Sequence, residues 1–239
     1  MTARVLVAGE ALVDEVLAAD GRQVEAAPGG GPLNIAVTLA RLGVPTDLLT
    51  SFGTDAYGDR IAAHLDGSGV RLVPGSRGSA PTSVARARLD HRHQATYDFD
   101  LHWDPPTAEP ATECRAVHVG SLGTVTEPGA TRMHALVRRA QAAGVVVSYD
   151  PNVRPTVLGD VGDPWPAVRD LAGAAALVKL SDEDAAFLRP DASEDAVLDD
   201  LLGGEHTLLA VLTRGQQGLR LATREHRVDV PAVPVDVVD

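Results

Sequence analysis

The 239-residue sequence predicts an α/β protein: a mainly parallel sheet covered by helices on both faces, with a small β appendage. Three observations predict it. Short apolar, β-branched runs alternate with stretches at helical spacing along most of the chain. One region, 82–101, instead alternates with period two about a polar turn, as an antiparallel hairpin does. The length is long for one domain and short for two, which fits one α/β unit with an addition.

In order, "RVLVAGE" is a buried strand ending at a glycine, and "RQVEAAP" is a short strand before the glycine run. "LNIAVTLARLG" is a helix starting near Leu33 or Asn34 and stopping at Gly43. "TDLLTSFG" is the next strand, and "DAYGDRIAAHLDGSG" a helix with Asp55 as its cap. The hairpin "TSVARARLDHRHQATYDFDL" turns at Asp90 to Gln94. The βα rhythm returns with strand "AVHVG", helix "EPGATRMHALVRRAQAAG", strand "VVVSYD" and helix "DPWPAVRDLAGAA". Strand "ALVKL", an acidic helix from Ser181 and strand "TLLAVLT" follow. The chain closes on "VPAVPVDVVD", a strand-like run ending in a carboxylate.

Composition narrows the function. A net charge of −12 with scattered arginines argues against a nucleic-acid or acidic-membrane surface. Cys114 is the only cysteine, so an internal disulfide is excluded and a reducing compartment fits. No run of membrane-spanning length and no uncharged leader are present, so a cytoplasmic location is expected. Lys179 is the only lysine and follows a valine, which excludes a Walker A loop; the glycine spacing after the first strand is wrong for a dinucleotide fingerprint.

Some residues invite chemistry on their own. Gly29, Gly30 and Gly31 precede a helix start, where free amides and a close backbone approach suit hydroxyls or anions; a tight turn is the plainer reading. Asp14, in "GEALVD", lies beyond the first strand, where open α/β sheets bind ligands, and a carboxylate there accepts two sugar hydroxyls. Tyr97 and Phe99 alternate on the hairpin, so one face carries both. His91 and His93 have metal-ligand spacing without an evident third ligand, and Cys114 has no evident activating base; both are read as passive.

The motifs "GEALVD", "PGGGPLNIAVTLARLG", "FGTDAYGDRI", "SLGTVTEPG", "SYDPNVRPTVL", "VKLSDEDAAFL" and "LLAVLTRGQQGLRL" occur in the order found in the ribokinase/phosphofructokinase-B (PfkB) carbohydrate kinases. The resemblance is strongest to the fructokinase-like branch and covers nearly the whole chain. It implies a ribokinase-like three-layer α/β/α domain over 1–239, with β lid segments near 22–28 and 82–101 that cover the site or form a homodimer surface. It implies ATP-dependent phosphorylation of a sugar hydroxyl, with Mg2+ and in some members K+.

On the resemblance, Asp14, Gly29, Gly30, Gly31, Asn34, Tyr97, Phe99, Asn152 and Arg154 bind the sugar. Lys179, Ser181, Asp184, Thr213, Arg214, Gly215 and Gly218 bind ATP. Ser181 and Asp184 stand where many relatives have asparagine and glutamate, which puts direct metal contact by the shorter acid in doubt. Asp239 resembles the first aspartate of the family's Asp-Thr-x-Gly-Ala-Gly-Asp segment and a ligand of the monovalent cation. The catalytic base is therefore expected beyond Asp239, in a domain cut at its C-terminus, and this chain is expected not to turn over. The alternatives are an inactive sugar- or nucleotide-binding fragment, or a related kinase for a sugar acid or nucleoside. Asp98 and Asp100 stand near the hairpin tyrosine, where a sugar-acid kinase is expected to carry arginine, so a neutral ketohexose or pentose is preferred.

Overall fold

The computed structural model describes residues 3–91, 94–110, 113–158 and 163–234. Strand β1 (Arg4–Ala8) is apolar on both faces, as a central strand must be: Leu6 and Ala8 enter one core and Val7 another. At Gly9 the chain leaves the sheet for an excursion, β2 (Leu12–Leu17) and β3 (Gln23–Gly29), before α1 (Gly31–Arg41) returns it to β4 (Thr46–Leu49). The start of α1 lies earlier than predicted because Pro32 presets φ in its first turn, where no amide partner is needed. It stops as expected before Gly43, at φ +83°.

The cap of α2 (Ala56–Gly67) is Asp55, which accepts the Gly58 amide at 2.9 Å. Then come the two-residue β5 (Arg71–Leu72) and the predicted hairpin, β6 (Ser83–Leu89) and β7 (Ala95–Asp100). The second half runs β8 (Cys114–Gly120), a 3-10 turn at Ser121–Thr124, α3 (Gly129–Ala142), β9 (Val146–Asp150) and the single-turn α4 (Pro155–Leu158). It continues through α5 (Trp165–Gly173), β10 (Leu177–Ser181), α6 (Asp182–Leu188), α7 (Glu194–Leu202) and β11 (Leu209–Thr213). The antiparallel strands β12 (Leu219–Ala222) and β13 (Arg227–Val230) close the series.

The nine-stranded sheet has the order β13-β12-β11-β10-β9-β8-β1-β4-β5 and is parallel from β11 to β5. One face packs Val7 and Leu48 against Leu33 and Val37 of α1 and Ile61 and Leu65 of α2. The other packs Val117, Tyr149 and Leu180 against α3, α5 and α7. Helices on both faces of a mainly parallel sheet make the three-layer, ribokinase-like α/β/α architecture.

The excursion and the hairpin join in a second sheet, β3-β2-β6-β7, with β2 and β6 parallel. The strand β2 was not expected, so Asp14 is a strand residue rather than a loop acid. Its sequence, "LVDEVL", hides the pattern by placing two acids at its centre. Glu15 is buried on the face toward α2 and tolerates this by accepting the Tyr57 hydroxyl and pairing with Arg86, each at 2.8 Å.

The closing run also differs from its reading. Among its described residues the strand ends at Val230, and residues 231–234 join no ladder; Pro231 and Pro234 have no amide to contribute. Asp239 and His93 lie outside the described residues. Cys114 is buried, and burial raises its thiol pKa, in line with a passive role.

Candidate functional site

The strand order reverses at β1: its two neighbours, β4 and β8, belong to opposite halves of the chain. Open α/β sheets bind ligands beyond the carboxyl ends of strands at such a reversal. Here the site is a cavity of about 210 Å³, lined among others by Asp14, Gly30, Gly31, Asn34, Phe99, Asn152 and Arg154. It lies below the range of drug-sized pockets (about 300–1,000 Å³) and suits a small polar ligand.

The second sheet roofs this cavity. Asp14 pairs in register with Ala85, and Ala85 with Phe99, so the three share the sheet face turned to the cavity. Gly29 does not line it but makes room for the acid: a Cβ there would stand 1.9 Å from Asp14 Oδ2. At Gly30, with φ +103°, a Cβ would meet the Glu10 carbonyl oxygen at 2.8 Å. Tyr97 shares the face of Phe99 but is 59% exposed and outside the cavity, so only one of the expected pair covers it.

Asp14 remains open to solvent, yet the protein around it displaces enough water to raise its pKa, with the Arg154 guanidinium opposing. The two give the cavity one acceptor and one donor of opposite charge. Asp98 and Asp100 do not alter that balance. They lie on the other face of β7, 3.9 and 4.0 Å from Arg86, and so give no discrimination against an anionic ligand.

Two residues at the cavity, Glu10 and Ser121, escaped the sequence reading. Glu10 is buried and accepts the Gly123 amide at 3.1 Å. Desolvation pushes its pKa up to about 7, against hydrogen bonds from Ser121, Gly123 and Gly31. Ser121 and Asn152 hold left-handed backbone, φ +59° and +38°, and Asn152 Nδ2 donates to Ser121 Oγ at 3.1 Å. Such backbone in non-glycine residues gathers where function needs it. Below them His118 bonds Ser148 at 2.9 Å, its Nε2 has no partner among the described residues, and burial and Lys179 lower its pKa to about 4. The signals were the acid inside "GEALVD" and the serine opening "SLGTVTEPG".

Farther along the carboxyl edge, Ser181 and Thr213 are paired across β10 and β11, bringing the two predicted nucleotide segments side by side. Several of their side chains are committed elsewhere. Lys179 pairs with Asp150 at 3.1 Å. Ser181 caps α6, and Asp184 returns a carboxylate oxygen to the Ser181 amide, a reciprocal capping box. Asp184 also accepts the Val153 amide, so it is anchored to backbone rather than free for a metal. Arg214 turns to Asp229 at 2.7 Å and Glu194 at 3.7 Å, within a cluster that includes Arg220, instead of standing free as a phosphate ligand. Gly215, at φ +52°, leaves open space beside the backbone, whereas a Cβ at Gly218 would strike the Val230 carbonyl. Among the described residues no group of three metal-ligating side chains occurs. A larger groove, about 620 Å³ between α3 and α5, contains none of the candidate residues.

Comparisons with known proteins agree with this geometry. The family model described as pfkB family carbohydrate kinase matches residues 2–239. A fructokinase of Rhizobium leguminosarum bv. trifolii is 32% identical over 249 residues, covering 98% of this chain and 74% of that protein. The fructokinase of Xylella fastidiosa superposes with a TM-score of 0.86 at 26% identity, over 99% of this chain and 78% of that one. A second structure of it, with bound ATP, gives 0.82 at 26% identity, over 97% and 78%. A double mutant of Vibrio cholerae O395 fructokinase, with fructose, ADP and potassium ion bound, gives 0.83 at 25% identity, over 100% and 78%. With the fold, the cavity at the strand reversal and this end-to-end match in agreement, the chain belongs to the pfkB family of carbohydrate kinases.

Proposed function

We propose that this chain takes part in ATP-dependent phosphorylation of a neutral ketohexose, with fructose the leading substrate. The observation that carries the reading is the convergence of Asp14, Asn34, Asn152 and Arg154 on one small cavity at the strand reversal. An ionised Asp14 accepts hydroxyl protons and Arg154 and the two amides donate, a set complementary to a polyol. Phe99 covers an apolar face of the ring. The fructokinase relatives, one holding ATP and another fructose with ADP, support the same substrates.

Phosphoryl transfer depends mainly on positioning and on stabilising charge on the moving group. In this reading the backbone around Gly215 and the β10–α6 corner receive the nucleotide. ATP brings Mg2+ on its phosphates, which fits a set of residues with few free carboxylates. Asp239 is assigned, on the resemblance, to a K+ site, and the proton-accepting aspartate to a Gly-Ala-Gly-Asp turn following it. The second sheet acts as a lid within one sugar-kinase domain, and exposed Tyr97 belongs to a surface for a second copy, which sedimentation of Tyr97→Ala checks. No helix among the described residues is long and apolar enough to cross a membrane, which is compatible with a cytoplasmic enzyme.

Coupled ADP-release assays over a panel of ketoses, aldoses, sugar acids and nucleosides test the reading. They are run on the 239 residues and on a form extended by the Gly-Ala-Gly-Asp turn. Preference for a sugar acid would overturn the substrate, and turnover by the shorter form at the rate of the longer would overturn the placement of the base.

A further inference from the structure

We propose that Glu10 is a positioning residue for sugar binding, acting through Ser121 on Asn152 rather than by touching the sugar. This rests on the sugar-kinase reading above. Glu10 is 5% exposed at the floor of the cavity, where three segments of the chain meet. It accepts the amide of Gly123 at 3.1 Å, which ties it to the turn Ser121–Thr124, and Ser121 and Gly31 stand close enough to oppose the rise that burial gives its pKa.

Ser121 has one proton to give and lone pairs to receive. It accepts Asn152 Nδ2 at 3.1 Å, and its own turn, Ser121–Thr124, is held by Glu10 at the Gly123 amide, so one chain of contacts runs from Asn152 through the Ser121 turn to Glu10. Both Ser121 and Asn152 carry left-handed backbone, which persists only where the surroundings over-determine it. Trp103 adds to that by donating its indole N–H to the Gly123 carbonyl at 2.9 Å, fixing Gly123 from its other side. The same carboxylate also faces Gly31, the first residue of α1, the helix that carries Asn34. A buried acid is costly unless its hydrogen bonds are satisfied, and here they converge on the walls of the cavity.

The test is a double-mutant cycle read by calorimetric titration with D-fructose on the protein, Glu10→Gln, Ser121→Ala and the double variant. Glu10→Gln keeps the shape but turns an acceptor into a donor facing amides. Each single change is expected to weaken fructose binding about tenfold, the scale of a lost hydrogen bond to a charged group. In the double variant the relay is already cut, so it should be little weaker than either single one. Losses that multiply to roughly a hundredfold would overturn the relay. So would unchanged affinity in Glu10→Gln beside a protein that binds fructose, and that result would leave the sugar-kinase reading intact. Absence of sugar binding by the unaltered protein would overturn both. If Glu10→Gln does not fold, the cycle of Ser121→Ala with Asn152→Ala decides, since multiplying losses there break the chain at its upper link.

Discussion

Asp184 places one carboxylate oxygen 2.8 Å from the backbone amide of Val153, so one side chain ties the start of α6 to the loop carrying Asn152 and Arg154. Its other oxygen accepts the Ser181 amide at 2.9 Å, and the residue is buried. Its position in the "VKLSDEDAAFL" motif suggests a nucleotide contact, whereas its bonds make it a brace for the loop of Asn152 and Arg154.

Asp184→Ala is therefore expected to cost about 2–4 kcal/mol of stability, from a lost cap and two amide–carboxylate bonds. Sugar affinity should fall more than ATP affinity. Denaturant midpoints with parallel titrations of the two ligands check this, and a selective loss of ATP binding would restore the nucleotide role.

Asp14→Ala removes the acceptor of two hydroxyl bonds, each worth about 1.5–3 kcal/mol to a charged group, so sugar affinity should drop tenfold or more. Only the ionised acid accepts both bonds. Because desolvation raises its pKa, binding should weaken with falling pH earlier than for an ordinary aspartate. Titration across the acid range checks this, and an unchanged dissociation constant would remove Asp14 from the cavity's chemistry.

Gly29→Ala offers a subtler intervention. The new methyl group would stand 1.9 Å from Asp14 Oδ2, and the flexible acid can rotate away. Stability should change by less than about 1 kcal/mol, as for a change without a named disruptive mechanism, while sugar binding falls with the displaced carboxylate. Thermal melts beside sugar titrations separate the two effects.

Glu10 should leave its mark on the pH dependence of stability. Its native pKa of about 7 exceeds the ordinary 4.5, so between those values the folded state binds more protons than the unfolded one. Its contribution is full below about pH 4.5 and is lost as pH rises to about 7, a change of roughly 3 kcal/mol at most. Glu10→Gln lacks this slope, and the difference between the two unfolding curves over that range measures it. A constant difference would show that Glu10 titrates normally.

The main sheet was legible because parallel strands are buried on both faces and so read as apolar runs, as "VVVSYD" and "TLLAVLT" do. The strand β2 was hidden because Asp14 and Glu15 occupy its centre, one facing the cavity and the other neutralised by Arg86. Asp14 and Asn152 announced themselves through motifs, but the commitments of Lys179, Asp184 and Arg214 depend on distant partners that local sequence does not name. Tyr97 and Phe99 share a face, yet alternation does not tell where the cavity ends. Glu10 is the clearest omission: its role follows from contacts with residues more than a hundred positions away.

The pairing of Asp14 with Ala85 and of Ser121 with Asn152 also bears on how the protein matures. The roof needs two chain excursions, and the floor needs strands from both halves, so no cavity exists in a nascent chain until Arg154 has emerged and docked. A ligand stabilises only molecules able to bind it. Sugar present during synthesis would therefore protect the span from Glu10 to Arg154 as one unit, and give an earlier folding intermediate no protection at all.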